Sequence, residues 1–167
     1  MSDSRLQEIF TKAVVGRAEH RMTWSHTVPA EGVTAVLGVH VSDCVVAVRE
    51  GEAPQVQVLA EIDLWCADSR TTKVIRVSAR HPETVTMNPV GPVLGQAEYS
   101  ARLLGPVEAT GVTVGPGGIT LDLTARVLVE MSAVTRLWVK SYALSDAALD
   151  DVEDPDASLT SDSGSDE

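Results

Sequence analysis

Polar and apolar residues alternate along most of this chain, and two stretches show the alternation best. In Gln55 to Val77, QVQVLAEIDLWCADSRTTKVIRV, one face collects Val56, Val58, Ala60, Ile62, Leu64 and Cys66. Gln57, Leu59, Glu61, Asp63 and Trp65 take the other. A period of two marks a strand with one buried face. Ala67-Asp68-Ser69-Arg70 supplies turn residues, and 71–79 returns with Ile75, Val77 and Ala79 on one face. The stretch therefore predicts a long β-hairpin. The second stretch runs 107–114, then Gly115-Pro116-Gly117-Gly118, then 119–131, with Ile119, Leu121, Leu123, Ala125, Val127, Val129 and Met131 in strict alternation. A strand of that length, about 40 Å at ~3.3 Å per residue, is expected to bend or bulge midway and serve two sheets.

The remaining pattern fills in around these hairpins. Ser4 and Gln7 fit a capping box, and Leu6, Ile9, Phe10, Ala13 and Val14 fall at helical spacing, which predicts a short amphipathic helix over about 5–13 packed on the domain. Residues 18–28 read as a strand with Met22, Trp24 and His26 on one face, and 29–32 as a turn. Two β-branched runs, 33–41 and 44–49, are interrupted by Ser42-Asp43, which suggests a bulge. A short strand is expected at 83–87, a loop at 88–95, and a last strand at 135–142. Segment 96–104 fits strand or helix and is read as strand. About eight to ten short strands with turns between them predict a mainly β protein, an antiparallel β-sandwich or flattened barrel. The domain boundaries are an N-terminal helix in 1–15, the β-sandwich in 16–143 and a disordered acidic tail in 144–167.

Charge separates the tail from the body. The chain carries 24 acids and 13 Lys+Arg, and nine of the acids lie in 146–167, where no Lys or Arg occurs. Fifteen acids then face 13 bases in the rest, so the body is close to neutral. Concentrated Lys/Arg is what phosphate binding needs, so a nucleic-acid role is disfavoured. The tail acids Asp150, Asp151, Glu153, Asp154 and Asp156 are solvated or form a docking strip for basic proteins. No apolar leader stands in 1–7 and no apolar run approaches the roughly 18 residues of a membrane span. The expectation is a soluble intracellular protein without a membrane span. Cys44 and Cys66 have no metal spacing and read as reduced core residues, although spacing alone leaves a disulfide between them open.

Candidate chemistry is sparse. His20, His26, His40 and His81 show no ligand spacing, and no nucleophile sits beside a base in a recognisable motif. Glu61 and Asp63 share a strand face and read as solvated. Gly115-Pro116-Gly117-Gly118 joins two strands, so it is a turn and not a phosphate loop. No cofactor, metal or catalytic residue is expected. Trp65 lies in register with polar neighbours. It is either an exposed anchor for a partner, with Leu59 and Glu61 beside it, or a core residue under a covering element.

Glu8 to Val15, EIFTKAVV, resembles the start of the CotE family of outer spore coat morphogenetic proteins. Thr27-Val28-Pro29 and Val36-Leu37-Gly38 resemble that family's next two short motifs. Glu61 to Trp65 with Ala67-Asp68 and Thr71 to Val74 resembles its hairpin and turn, and the 107–131 hairpin and acidic tail follow in order. The resemblance spans about 5–142 plus the tail. It implies a non-enzymatic morphogenetic protein that self-assembles as a homo-oligomer. It implies synthesis in the mother-cell cytoplasm and direction to the spore coat at the forespore surface by a basement-layer morphogenetic protein. There the protein would scaffold the outer coat by recruiting other coat proteins. The low charge of 119–131 makes it the expected assembly edge. From the residues alone, a β-sandwich module binding a cell-wall or cortex glycan through Trp65 and Glu61 is the alternative.

Deleting 146–167 should leave the fold intact, because that segment has no apolar period to bury. Circular dichroism and thermal melting are expected to match the full chain, with stability unchanged within about 0.5 kcal/mol.

Overall fold

In the computed structural model, which describes residues 4–49, 51 and 53–142, seven β-strands account for most of the described backbone. They are β1 (Ser4–Val28), β2 (Ala35–Arg49), β3 (Gln55–Ala67), β4 (Thr72–Thr84), β5 (Leu94–Leu103), β6 (Glu108–Gly115) and β7 (Gly118–Tyr142). The chain divides into a unit of Phe10–Arg136 and a unit of Met1–Ile9 with Leu137–Glu167. Of the second unit the described residues are 4–9 and 137–142, the extended ends of β1 and β7, with Leu6, Leu137 and Trp138 exposed. The predicted acidic tail lies outside the described residues.

Within Phe10–Arg136 the strands form two antiparallel sheets. One has the order β2-β3-β4. In the other, β7 is central, with β1 on one side and β5 and β6 on β7's other flank. The two central strands face each other through their alternate residues. Val56, Val58, Ala60, Ile62, Leu64 and Cys66 of β3 are fully buried in one cluster with Ile119, Leu121, Leu123, Ala125, Val127 and Val129 of β7. This is the expected sandwich, in which inner faces interdigitate and outer faces stay wet. A smaller cluster continues along β7 with Met131 and Ala133 against Val15.

Three expectations change. The helix over about 5–13 is absent: those residues belong to β1. Read at a period of two, Ile9, Thr11, Ala13 and Val15 turn inward and Phe10, Lys12 and Val14 outward. The apolar residues that fit a helical stripe also fit a strand with apolar residues on both faces, and β-branched Ile9, Thr11, Val14 and Val15 favour the strand. Inward parity then changes between Val15 and Gly16, both buried, so that Ala18, His20, Met22 and Trp24 face the core. Gly16 packs closely there: a β-carbon would stand 3.2 Å from Met131 Cε, at the flexible end of that side chain. Second, β7 does not switch sheets. It stays straight enough to keep its odd positions inward from Ile119 to Thr135, and 135–142 is its continuation instead of a separate strand. It also has neighbours on both flanks, so 119–131 is not an edge available for assembly. Third, 83–87 is not a strand of its own. Glu83 and Thr84 finish β4, and 85–93 crosses from one sheet to the other.

That crossover is tied down where its polar groups would otherwise be unpaired. Val85 N–H donates to Pro54 C=O (3.0 Å), and Val90 N–H to Val15 C=O (2.6 Å). The buried Thr135 hydroxyl donates to Pro92 C=O (2.7 Å). The expected bulge near Ser42-Asp43 is present as a shift in pairing between Val41 and Asp43, with another between Val36 and Gly38.

The glycine turn before β7 gives a stringent test. Gly118 has φ +119°, and a β-carbon on it would lie 2.1 Å from Val28 O. Gly118→Ala should destabilise by at least about 3 kcal/mol, a fall in Tm of roughly 6–12 °C for a chain of this size. Gly115→Ala, where an added β-carbon meets nothing, should melt like the wild type.

Candidate functional site

The site follows from which residues β3 is obliged to present outward. Because its even positions are buried, Gln57, Leu59, Glu61, Asp63 and Trp65 form the middle of the outer face of the β2-β3-β4 sheet. Pairing fixes their neighbours. Trp65 lies between Gly38 and Val74, Asp63 between His40 and Arg76, Glu61 between Asp43 and Ser78, and Leu59 between Val45 and Arg80. Among the described residues, no element covers this face. Trp65 is 44% exposed, Val74 55% and Leu37 63%.

Trp65 is therefore the exposed residue of the two readings, and its surroundings are apolar. Gly38 leaves room for its ring, which a β-carbon there would touch at 3.6 Å. The His40 ring lies against it, tilted by 48° with centroids 6.5 Å apart. Leu37, set out by the adjacent shift in pairing, and Val74 complete the patch.

The other two expected site residues do not join it. Leu59 is six residues from Trp65, about 20 Å along a strand. It packs instead beside Val45 and Arg80, with Glu61 and Asp63 in between. Glu61 is half-buried beside Asp43. Asp63 accepts from Arg76 Nε at 2.9 Å, and this carboxylate holds Arg76 more firmly in its charged form. Of the two carboxylates read as solvated, Asp63 is thus held in an ion pair with Arg76. The expected tail residues Asp150, Asp151, Glu153, Asp154 and Asp156 lie outside the described residues.

The hairpin turn next to the patch is organised by Asp68. Its carboxylate accepts from the backbone N–H of Arg70 and of Thr71, each at 2.8 Å, and from the Thr71 hydroxyl at 3.3 Å. The two backbone bonds are the main reason that its pKa lies below the ordinary carboxylate value. A lowered folded pKa means that this contribution is full at neutral pH. It fades as pH falls below about 4, the unfolded value, through the folded one.

One group of side chains was not visible in the pattern. His20 of β1 and Glu83 of β4 meet across the two sheets at 2.7 Å, and His81 approaches the same carboxylate at 3.5 Å. Trp24 stacks on His81 with centroids 5.0 Å apart and planes within 2°. The even spacing of His20 and Trp24 and of His81 and Glu83 puts each pair on one face; only the packing of β1 over β4 brings them together. Among the described residues, no group of three His, Cys, Asp or Glu is arranged to hold a metal ion. No helix there is long and apolar enough to cross a membrane.

Both cysteines are free and turn toward the core. Burial raises the Cys66 thiol pKa, and Lys73 offsets this only in part. At neutral pH a thiol reagent should label half-buried Cys44 first, with Cys66 reacting only at the rate of unfolding. Equal labelling rates in native buffer would contradict this burial.

Compared with protein-family models, curated proteins and solved structures, the chain gives no match.

Proposed function

We propose that this chain is a non-enzymatic structural protein that self-associates and scaffolds the outer coat of bacterial endospores. In this reading it is made in the mother cell, taken to the forespore surface by a basement-layer morphogenetic protein, and recruits further coat proteins. The observation that carries the self-associating part is the uncovered outer face of β2-β3-β4, where Trp65, Leu37 and Val74 stand exposed together. Exposed apolar groups of this kind, rimmed by polar residues, mark interaction surfaces. The coat assignment is supported by the collinear resemblance to the CotE family. The resembling blocks at 8–15, 61–74 and 107–131 are parts of β1, the β3-β4 hairpin and the β6-β7 hairpin.

The test is the solution mass of the full chain by sedimentation over a wide concentration range. Mass should grow with concentration, and Trp65→Ala should weaken association at least tenfold, about 1.4 kcal/mol. A monomer at every concentration overturns the scaffold reading. The glycan-binding alternative would then be decided by pull-down on purified cell-wall and cortex material, with Trp65→Ala as the control.

A further inference from the structure

Strand β4 is an edge, and an unusually regular one. It pairs with β3 through Thr72–Thr84 without a shift in register, and β3 is its sheet neighbour. The opposite edge, β2, is bent by two shifts, a common way of blunting an edge against pairing. On β4 only Pro82, which has no N–H to give, interrupts the row of backbone groups near its end. The stretch 72–80 is thus the better of the two edges to take an added strand.

Charge restricts which strand that can be. Lys73, Arg76 and Arg80 are exposed along β4, and its one acid, Glu83, is held by His20. Arg70 adds a fourth base at the turn, while Asp63 on β3 occupies Arg76 from the other side. A second β4 laid against this edge would set bases against bases. An acidic strand fits, especially one with an apolar residue to set beside Val74, which stands exposed on β4 itself next to Trp65 of β3.

This chain contains such a segment. Residues 146–154, DAALDDVED, hold Asp146, Asp150, Asp151, Glu153 and Asp154 with Leu149 and Val152, and no base. Residues 143–167 lie outside the described structure. Fully extended at about 3.3 Å per residue they span roughly 80 Å, enough to reach a neighbouring molecule. We propose that the β4 edge, 72–80, with Val74 exposed on it, is the docking strand for the acidic segment 146–154 of a second copy of this chain. The proposal rests on the self-associating reading above and names its contact. Backbone pairing supplies the geometry, Lys73 and Arg80 favour the acids, and one of Leu149 and Val152, which take opposite faces of a strand, is set beside Val74.

The experiment is sedimentation of the full chain in three charge-reversed forms. These are Lys73→Glu with Arg80→Glu, then Asp150→Lys with Asp151→Lys and Asp154→Lys, and then all five together. Lys73 and Arg80 are exposed, so melting curves should show each form folded. Wild type should associate, and added salt should weaken it. Each partial reversal should weaken association at least tenfold, and the five-fold reversal should restore it. Partial reversals that associate like wild type overturn this contact while leaving self-association standing. A wild type that stays monomeric overturns both. A constant mass with a salt-dependent change in sedimentation shape places the tail on its own chain and overturns docking between copies.

Discussion

The inner face of β3 against the inner face of β7 is the contact on which the rest of the structure depends. Each strand is flanked on both sides, so its backbone groups are paired and its alternate side chains are free to interdigitate. Val, Ile, Leu and Ala do this with few aromatic residues, in keeping with the low aromatic content of the chain. Small and β-branched side chains pack densely between two flat surfaces, and the loss of one leaves a cavity that neighbours fill poorly. Once these two strands face each other, every odd residue of β3 must point away from the core. The outer face with Trp65 is a consequence of that packing.

The two outer faces differ in how their polar groups are used. On the β1-β7 side the rows are cross-linked. Thr27 meets Thr120, Ser25 donates to Asp122, Arg21 meets Thr124, Arg126 pairs with Glu19 and Arg17 with Glu130. Exposed pairs of this kind add little stability each, but they leave few polar groups seeking a partner. On the β2-β3-β4 side the ion pair Arg76–Asp63 separates two apolar spots, around Trp65 and around Val45 and Leu59. An apolar group left exposed costs free energy that a partner can recover. Both faces keep some apolar groups exposed, Phe10, Val14 and Val134 on the first and Trp65, Leu37 and Val74 on the second.

The edges complete that asymmetry. β2 carries two bulges, while β4 is straight and basic. A regular edge is a hazard for a protein at high concentration unless its charge selects what may join it. The tail is the part of the sequence whose charge matches, and it is also the part with no apolar period that could tie it into a core.

Much of this was legible in the sequence because period-two alternation is a local property. It defined β3, β4, β6 and most of β7, the turn at Asp68 and the bulge near Asp43, and it put Trp65 on the polar face of its strand. The N-terminal helix was a misreading with a physical cause: the apolar residues among Leu6, Ile9, Phe10, Ala13 and Val14 satisfy two periods at once, and pairing with β7 decided between them. Trp65 on its own was ambiguous, since alternation says which face a residue takes and not whether another layer covers that face. Likewise the union of His20, Glu83, His81 and Trp24 needed two strands from different sheets to meet. The sequence by itself determined the strands and their inward faces, because side-chain direction repeats every second residue whatever surrounds it. Which faces lie uncovered, which strands end at an edge and which distant side chains touch was decided only by tertiary structure, because those depend on how two sheets share one core.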